Sequence, residues 1–130
     1  MTNFLKNIDK RYSFLNTLVQ EKIVKDYENS GHSVVLLKLN PSHFDIVFYQ
    51  DYDRYQVQII PKHISGITFD APIVISMLFN EKKPINEFGL DNLIKENWDD
   101  LQLLCEPPKI ENTTAKYKKL KTKYQKRIWG

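Results

Sequence analysis

The stretch "SVVLLKLNPSHFDIVFYQDYDRYQVQII", residues 33–60, decides the fold. It opens with an aliphatic and β-branched run that closes at Asn40-Pro41, and a second apolar run begins at Phe44. The polar residues "QDYDR" then lead into "YQVQII", where apolar residues alternate with glutamine. These patterns predict three strands, of which 44–50 and 55–60 form an antiparallel hairpin with its glutamine face toward water.

Residues 4–27 carry the spacing of an amphipathic helix before these strands. Apolar residues recur there every three or four positions, at Leu5, Ile8, Tyr12, Leu15, Val19, Ile23 and Tyr27. The spacing predicts one long helix or two collinear ones, with a kink near Asn16-Thr17 as an alternative to a straight course. Thr2 or Asn3 can cap its start, and Gly31 follows its end.

The chain after the hairpin predicts one more strand and then helices. In "PIVISMLFN", residues 72–80, the Ile-Val-Ile triplet favours a buried strand, while Asp70 and Pro72 favour a helix start as the alternative. Residues 90–105 have helical spacing, and Pro107-Pro108 ends that helix. A last helix covers residues 113–130, with Thr113 or Thr114 as its cap.

The order α-β-β-β-β-α-α predicts an α+β fold in one domain, residues 1–130. A long N-terminal helix and two C-terminal helices pack on a small antiparallel meander of three to four strands. Such an order excludes the alternating βαβ arrangement and its dinucleotide crevice.

Composition indicates a folded, cytoplasmic protein that is not embedded in a membrane. The chain is 42% hydrophobic and 12% aromatic, but no stretch approaches the length of a membrane span and the N-terminus lacks the pattern of a secretory signal. Its single cysteine, Cys105, lies on the apolar side of a helical pattern, so we expect a buried thiol without chemistry.

Charge is distributed unevenly along the chain. Residues 81–112 hold four basic and eight acidic residues, whereas the last eighteen residues hold seven basic and no acidic ones. On the last helix an apolar stripe of Tyr117, Leu120, Tyr124 and Ile128 opposes a basic surface. That basic surface comprises Lys116, Lys119, Lys123, Lys126 and Arg127. It either packs beside the acidic helix or makes the protein a nucleic-acid binder, which is the alternative function.

Motifs for catalysis are lacking. The four glycines are isolated, no GxSxG stretch is present, and the three histidines are not spaced as metal ligands. We therefore expect a non-enzyme without cofactor or metal. A second alternative is a small nuclease or hydrolase in which His43, Asp45 and His63 act as acid and base, since His43 and Asp45 share a strand face and His63 follows the partner strand.

The leading hypothesis is a protein-binding domain. An acidic surface of Asp51, Asp53, Glu96, Asp99 and Asp100 would approach a basic partner, provided that the hairpin tip and the helix lie on the same side. A specific version of this hypothesis is a bacterial immunity protein, which neutralises a toxin by steric and electrostatic blocking of a basic toxin domain.

Overall fold

The computed structural model describes residues 3–27, 31–52, 54–79 and 89–129. Its helices are α1 (Asn3–Arg11), α2 (Ala71–Ser76), α3 (Leu90–Glu96), α4 (Trp98–Cys105) and α5 (Ile110–Trp129). Its strands are β1 (Val19–Tyr27), β2 (His32–Leu39), β3 (Phe44–Asp51), β4 (Arg54–Pro61) and β5 (Phe69–Asp70). A 3₁₀ turn, Ser13–Leu15, follows α1. The α+β class and the antiparallel meander are confirmed, but the sheet has five strands and the helices differ from those predicted.

The sheet keeps the order of the sequence, β1-β2-β3-β4-β5, and every neighbouring pair is antiparallel. The pairing of Phe48 with Val35 on one side and Val57 on the other fixes the register of the three central strands. All three were predicted, as was the hairpin that joins β3 to β4. Gln56 on that hairpin is exposed and Gln58 half-buried, so the predicted orientation of the glutamines is confirmed.

One face of the sheet, called here the inner face, carries the core. Phe44, Ile46 and Phe48 on β3 are completely buried on it. The helices contact this face through aromatic rings: Tyr12 lies 4.6 Å from Phe48 and Trp98 lies 5.0 Å from Phe44, both centroid to centroid. The helical layer and the inner face thus form one hydrophobic cluster that extends from α1 to α5.

The prediction of a long N-terminal helix was wrong. Only its first third is helical; the chain then turns back and runs as β1 along the edge of the sheet, paired with β2 over Val19–Tyr27. Tertiary pairing supplies β1 with hydrogen bonds that an isolated helix would make internally, and Ile23 and Val24 suit a strand. An ion pair of 2.7 Å between Lys22 and Asp9 ties the edge strand to α1.

Residues 71–76 are a helix, so the strand predicted for 72–80 was wrong and its alternative is correct. Pro72 occupies the first turn of α2, where its missing N–H costs nothing, and Asp70 precedes the helix. Five of its six residues, Ala71, Ile73, Val74, Ile75 and Ser76, are buried, and packing outweighs the weak helix propensity of the β-branched triplet. Residue 80 lies outside the described residues.

The C-terminal part contains three helices where two were predicted. Asn97 interrupts the 90–105 helix and separates α3 from α4. The last helix starts at Ile110, so Thr113 and Thr114 are not its cap; both are buried, and the Thr114 hydroxyl donates to the Ile110 carbonyl at 2.8 Å. No helix in the described ranges is long and apolar enough to cross a membrane.

Gly31 offers a test of the β1–β2 connection. Its φ is +74°, and a Cβ there would lie 2.9 Å from Cδ1 of Tyr52, whose N–H donates to the Gly31 carbonyl at 2.7 Å. We expect Gly31→Ala to lower the free energy of unfolding by about 2 kcal/mol, because a strained backbone and a steric contact add together.

The matched control is Gly66→Ala, whose φ is +76° but whose Cβ would meet nothing within 4 Å. It should cost only the backbone strain, about 1 kcal/mol. Urea unfolding of the three proteins measures both values. Equal losses in the two variants would show that the Tyr52 contact is unimportant.

Candidate functional site

The face of the sheet opposite the core, called here the outer face, is apolar at its centre. The registers align Ile23, Leu36 and Val47 across three strands, and place Val34 opposite Tyr49 in the next row. We call these residues, together with Ile60 of β4, the outer patch: Ile23, Val34, Leu36, Val47, Tyr49 and Ile60. None belongs to the core cluster or to the residues packed against it, although Val47 is only 3% exposed.

Charged residues around the outer patch are paired with one another. Glu21 lies 3.8 Å from Lys38, and Asp45 lies 3.7 Å from Lys62. At the hairpin end His32 Nδ1 lies 2.9 Å from an Asp51 oxygen. A molecule that approaches this face therefore meets an apolar centre within a border of mixed charge.

Sequence reasoning missed this surface, although a signal was present. An antiparallel strand with one wet face should alternate, as β4 does around its glutamines. The run "SVVLLKL" does not alternate, and neither does "IVFY" in β3. Apolar residues on both faces of two adjacent central strands were therefore readable from the sequence once the strands were assigned.

The predicted acidic residues do not form one surface. Asp51 ends β3 at the hairpin tip, whereas α4 lies at the other end of that strand, where Trp98 packs on Phe44. Asp99 and Asp100, in the first turn of α4, are exposed, as is Glu96 at the end of α3. Across β3 the two ends are about 23 Å apart. Asp53 lies outside the described residues.

The lysines of α5 face solvent and not the acidic helices. Lys116, Lys119, Lys123 and Lys126 are exposed, opposite the buried Tyr117 and Tyr124. We call these four lysines the lysine stripe. In the described part of the chain none of them forms an ion pair; Lys121, half-buried beside the stripe, instead lies 3.6 Å from Asp70. The side chains of Arg127 and Ile128 lie outside the described residues.

Lysines in the stripe repel one another. Their spacing of three and four residues places like charges next to each other on the helix surface, which costs roughly 0.2–0.5 kcal/mol per pair. The stripe therefore slightly destabilises its own helix and has no carboxylate partner in the described ranges.

Two of the three histidines are in contact. His43 Nδ1 lies 2.9 Å from His63 Nε2, and the ring centroids are 5.1 Å apart. The His43 backbone is held on both sides: its N–H donates to Gln102 Oε1 at 2.7 Å and its carbonyl accepts from the Lys62 N–H at 3.0 Å. Gln102 also donates to the Ser42 hydroxyl at 2.8 Å. We call His43 and His63 the histidine pair.

Asp45 does not take part in the histidine pair. One of its oxygens accepts from the Leu39 N–H at 3.0 Å, and Lys62, which also donates to the Leu39 carbonyl, lies 3.7 Å away. Its role is to close the ends of β2 and β3. Two histidines that act as acid and base on one substrate need space for it between the rings, and at 2.9 Å there is none. This geometry gives the hydrolase hypothesis no support.

Burial raises the pKa of two tyrosines in the core. Burial raises the pKa of Tyr12 far above its usual range and that of Tyr117 to about 12. The Tyr117 hydroxyl accepts from the Asp70 N–H at 2.8 Å, which joins α5 to the end of the sheet. Because the pKa of Tyr117 in the folded state exceeds its ordinary 10, the neutral form is the one that stabilises the fold, and that stability declines as the pH rises above 10.

No group of three or more metal-ligating side chains occurs among the described residues. No protein-family model, no curated protein and no solved structure matches the chain.

Cys105 provides a test of the α4 packing. Its thiol is buried, as the sequence predicted, and burial raises its pKa to about 12. Since the thiolate is the reactive form, we expect alkylation by iodoacetamide at about pH 8.5 to be at least a hundredfold slower in the folded protein than in guanidinium chloride. Mass spectrometry of timed samples measures both rates, and comparable rates would show that the α4 environment is open.

Proposed function

We propose that the chain is a protein-binding domain whose interface is centred on the outer patch. The observation that carries this is the lack of alternation on the outer face: β2 and β3 present aliphatic and aromatic side chains away from the core as well as toward it. Contiguous apolar surface bordered by charge is typical of protein–protein contacts.

The dimensions of the patch define its part in such an interface. Its six residues, at about 33 Å² of sheet surface each, cover about 200 Å². A specific interface needs roughly 800 Å² on each partner. The patch therefore forms the dehydrated centre, and the border supplies the remainder with charged contacts.

The partner we propose is a different protein that presents an apolar surface and a cation next to it. Asp51, which sequence analysis assigned to partner binding, lies at the border with its side chain 56% exposed. A lysine or arginine of the partner can take the place of His32 beside that carboxylate. Glu96, Asp99 and Asp100 belong to the helical side, so in this proposal they act only as a second, separate contact.

A toxin-neutralising immunity protein remains the concrete form of the proposal. In that form the outer patch covers the mouth of the toxin's active site, and the carboxylates attract its cationic residues during encounter. Support comes from the surface alone: an apolar centre that excludes water, and a border carboxylate that a basic partner can reach.

Leu36→Lys tests the outer patch. Leu36 is half-buried at its centre, so the variant places a charge where the partner must exclude water, and we expect affinity to fall by about tenfold to a hundredfold. The measurement is binding of the purified variant to a partner that was captured from the native host and then reconstituted as a direct one-to-one complex.

The matched control is Leu103→Lys. Leu103 is 45% exposed on α4, on the helical side, so this variant adds the same charge in place of the same residue away from the sheet. It should bind like the wild type, and circular dichroism should show both variants folded. Loss of binding in Leu103→Lys or in Asp99→Lys/Asp100→Lys, with Leu36→Lys unaffected, would place the interface on the helices and reject the proposal.

A second candidate function, nucleic-acid binding, has one observation in its favour. The lysine stripe is exposed, without ion pairs in the described ranges, and its four ammonium groups lie along about 15 Å of helix. A row of cations can contact the phosphates of a nucleic-acid backbone, which supply most of non-specific affinity. No tyrosine of α5 is available for base stacking, since Tyr117 and Tyr124 are buried.

Replacement of Lys119, Lys123 and Lys126 by alanine tests this candidate. If all three contact phosphates of duplex DNA, the slope of log affinity against log salt should decrease in magnitude by about 2.7. Fluorescence anisotropy over a salt series measures the slope. Replacement of Lys6, Lys10 and Lys25, exposed lysines of α1 and β1, is the control with the same change in charge. No binding of the wild type at low salt would eliminate the candidate.

A further inference from the structure

We propose that the histidine pair is a binding site for one divalent transition-metal ion of the Cu²⁺ or Ni²⁺ type. This inference does not depend on the proposed protein binding, since the two rings lie beyond the outer patch, where β3 begins and β4 ends. It rests on the distance between two imidazole nitrogens that face each other and on the contacts that hold the His43 backbone.

The distance between the nitrogens fits coordination. Imidazole nitrogens bind such metals at about 2.0–2.1 Å, so two of them at a right angle around one ion lie about 2.9 Å apart. His43 Nδ1 and His63 Nε2 are 2.9 Å apart. Because the rings must turn to bind an ion, this distance does not select among metals, and the choice of Cu²⁺ or Ni²⁺ follows from their affinity for imidazole nitrogen.

Without a metal the two nitrogens share one hydrogen, because a hydrogen bond between imidazoles needs one donor and one acceptor. When a metal ion binds both lone pairs, that hydrogen moves through exchange with water to the other nitrogen of its own ring, so both imidazoles stay neutral and no net proton is released. The rings must turn so that both lone pairs converge on the ion. They have room to do so, since His63 is exposed and His43 half-buried.

Backbone contacts keep the pair in position. Gln102 of α4 holds the His43 N–H, and the Lys62 N–H holds the His43 carbonyl, so the residues that carry the two rings are tied across the sheet end and to the helical layer. The nearest cation in sequence, Lys62, directs its ammonium group to the Leu39 carbonyl and toward Asp45. Its charge is thereby partly compensated before a metal ion arrives.

Water completes the coordination, because the described residues offer no third protein ligand. An exposed ion with two protein ligands and open positions is a site of modest affinity, and the Irving–Williams order ranks Cu²⁺ above Ni²⁺ at nitrogen ligands. Mg²⁺ prefers oxygen ligands and should not bind here.

The test is titration of the untagged chain with NiCl₂ and CuCl₂ in a calorimeter at about pH 7.5, because a metal ion binds the unprotonated imidazole. We expect one saturable ion per chain, and affinity at least about tenfold lower in both His43→Gln and His63→Gln. His32→Gln is the matched control: His32 pairs with Asp51 at the opposite end of the strands, and its loss should leave the affinity unchanged.

Electron paramagnetic resonance of the Cu²⁺ complex gives a second readout. Hyperfine coupling to two imidazole nitrogens in the wild type should become coupling to one in each variant of the pair. Circular dichroism confirms that the variants fold, which their accessible side chains favour. Binding that survives in either variant, or a wild type that is not saturated below about 1 mM of either ion, overturns the proposal.

Discussion

The burial of Phe44, Ile46 and Phe48 on one face of β3 is the interaction on which the rest of the structure depends. All three side chains are completely buried, and the flanking strands add Val35, Leu37, Leu39, Val57 and Ile59 to the same face. Every helix of the described chain contributes side chains to this cluster. The helical layer packs on this inner face, so no helix of the described chain covers the aliphatic side chains that β2 and β3 place on the outer face. The outer face is therefore the candidate interface.

The parts of the fold that local pattern determines were predictable, and the parts that tertiary pairing determines were not. The strands from Ser33 to Ile60 combine β-branched composition with turn residues, so both signals agree. In residues 19–27 two signals conflict, because Ile23 and Val24 favour a strand while the spacing of the apolar residues is also that of a helix. Apolar residues four positions apart fall on one side of a helix and also on one side of a regular strand, so their spacing does not distinguish the two. Pairing with β2 decides for the strand, which the β-branched Ile23 and Val24 suit.

The same division applies to the candidate sites. His43 and His63 were predicted to lie near each other because strand parity and the hairpin register fix their positions, and both are properties of local sequence. The acidic surface failed as a single unit because the position of α4 relative to the sheet is set by packing, through contacts such as Trp98 on Phe44. Exposure of the lysine stripe followed from its helical spacing, but whether its lysines met carboxylates depended again on tertiary structure.

The lysine stripe and the outer patch do not contribute to the stability of the fold. Lys121, by contrast, makes contacts that stabilise the fold. It is half-buried, close to Asp70, and lies over the ring of Tyr117. The lysines of the stripe make no such contact in the described chain and repel one another, so α5 would be more stable with some of them replaced. The outer patch likewise keeps Leu36 and Tyr49 partly in water on a face that polar residues would solvate at lower cost. Local choices that oppose stability without a compensating contact are where function is expected in a folded domain. Here they lie on two different layers, so variants can test the two candidate functions separately.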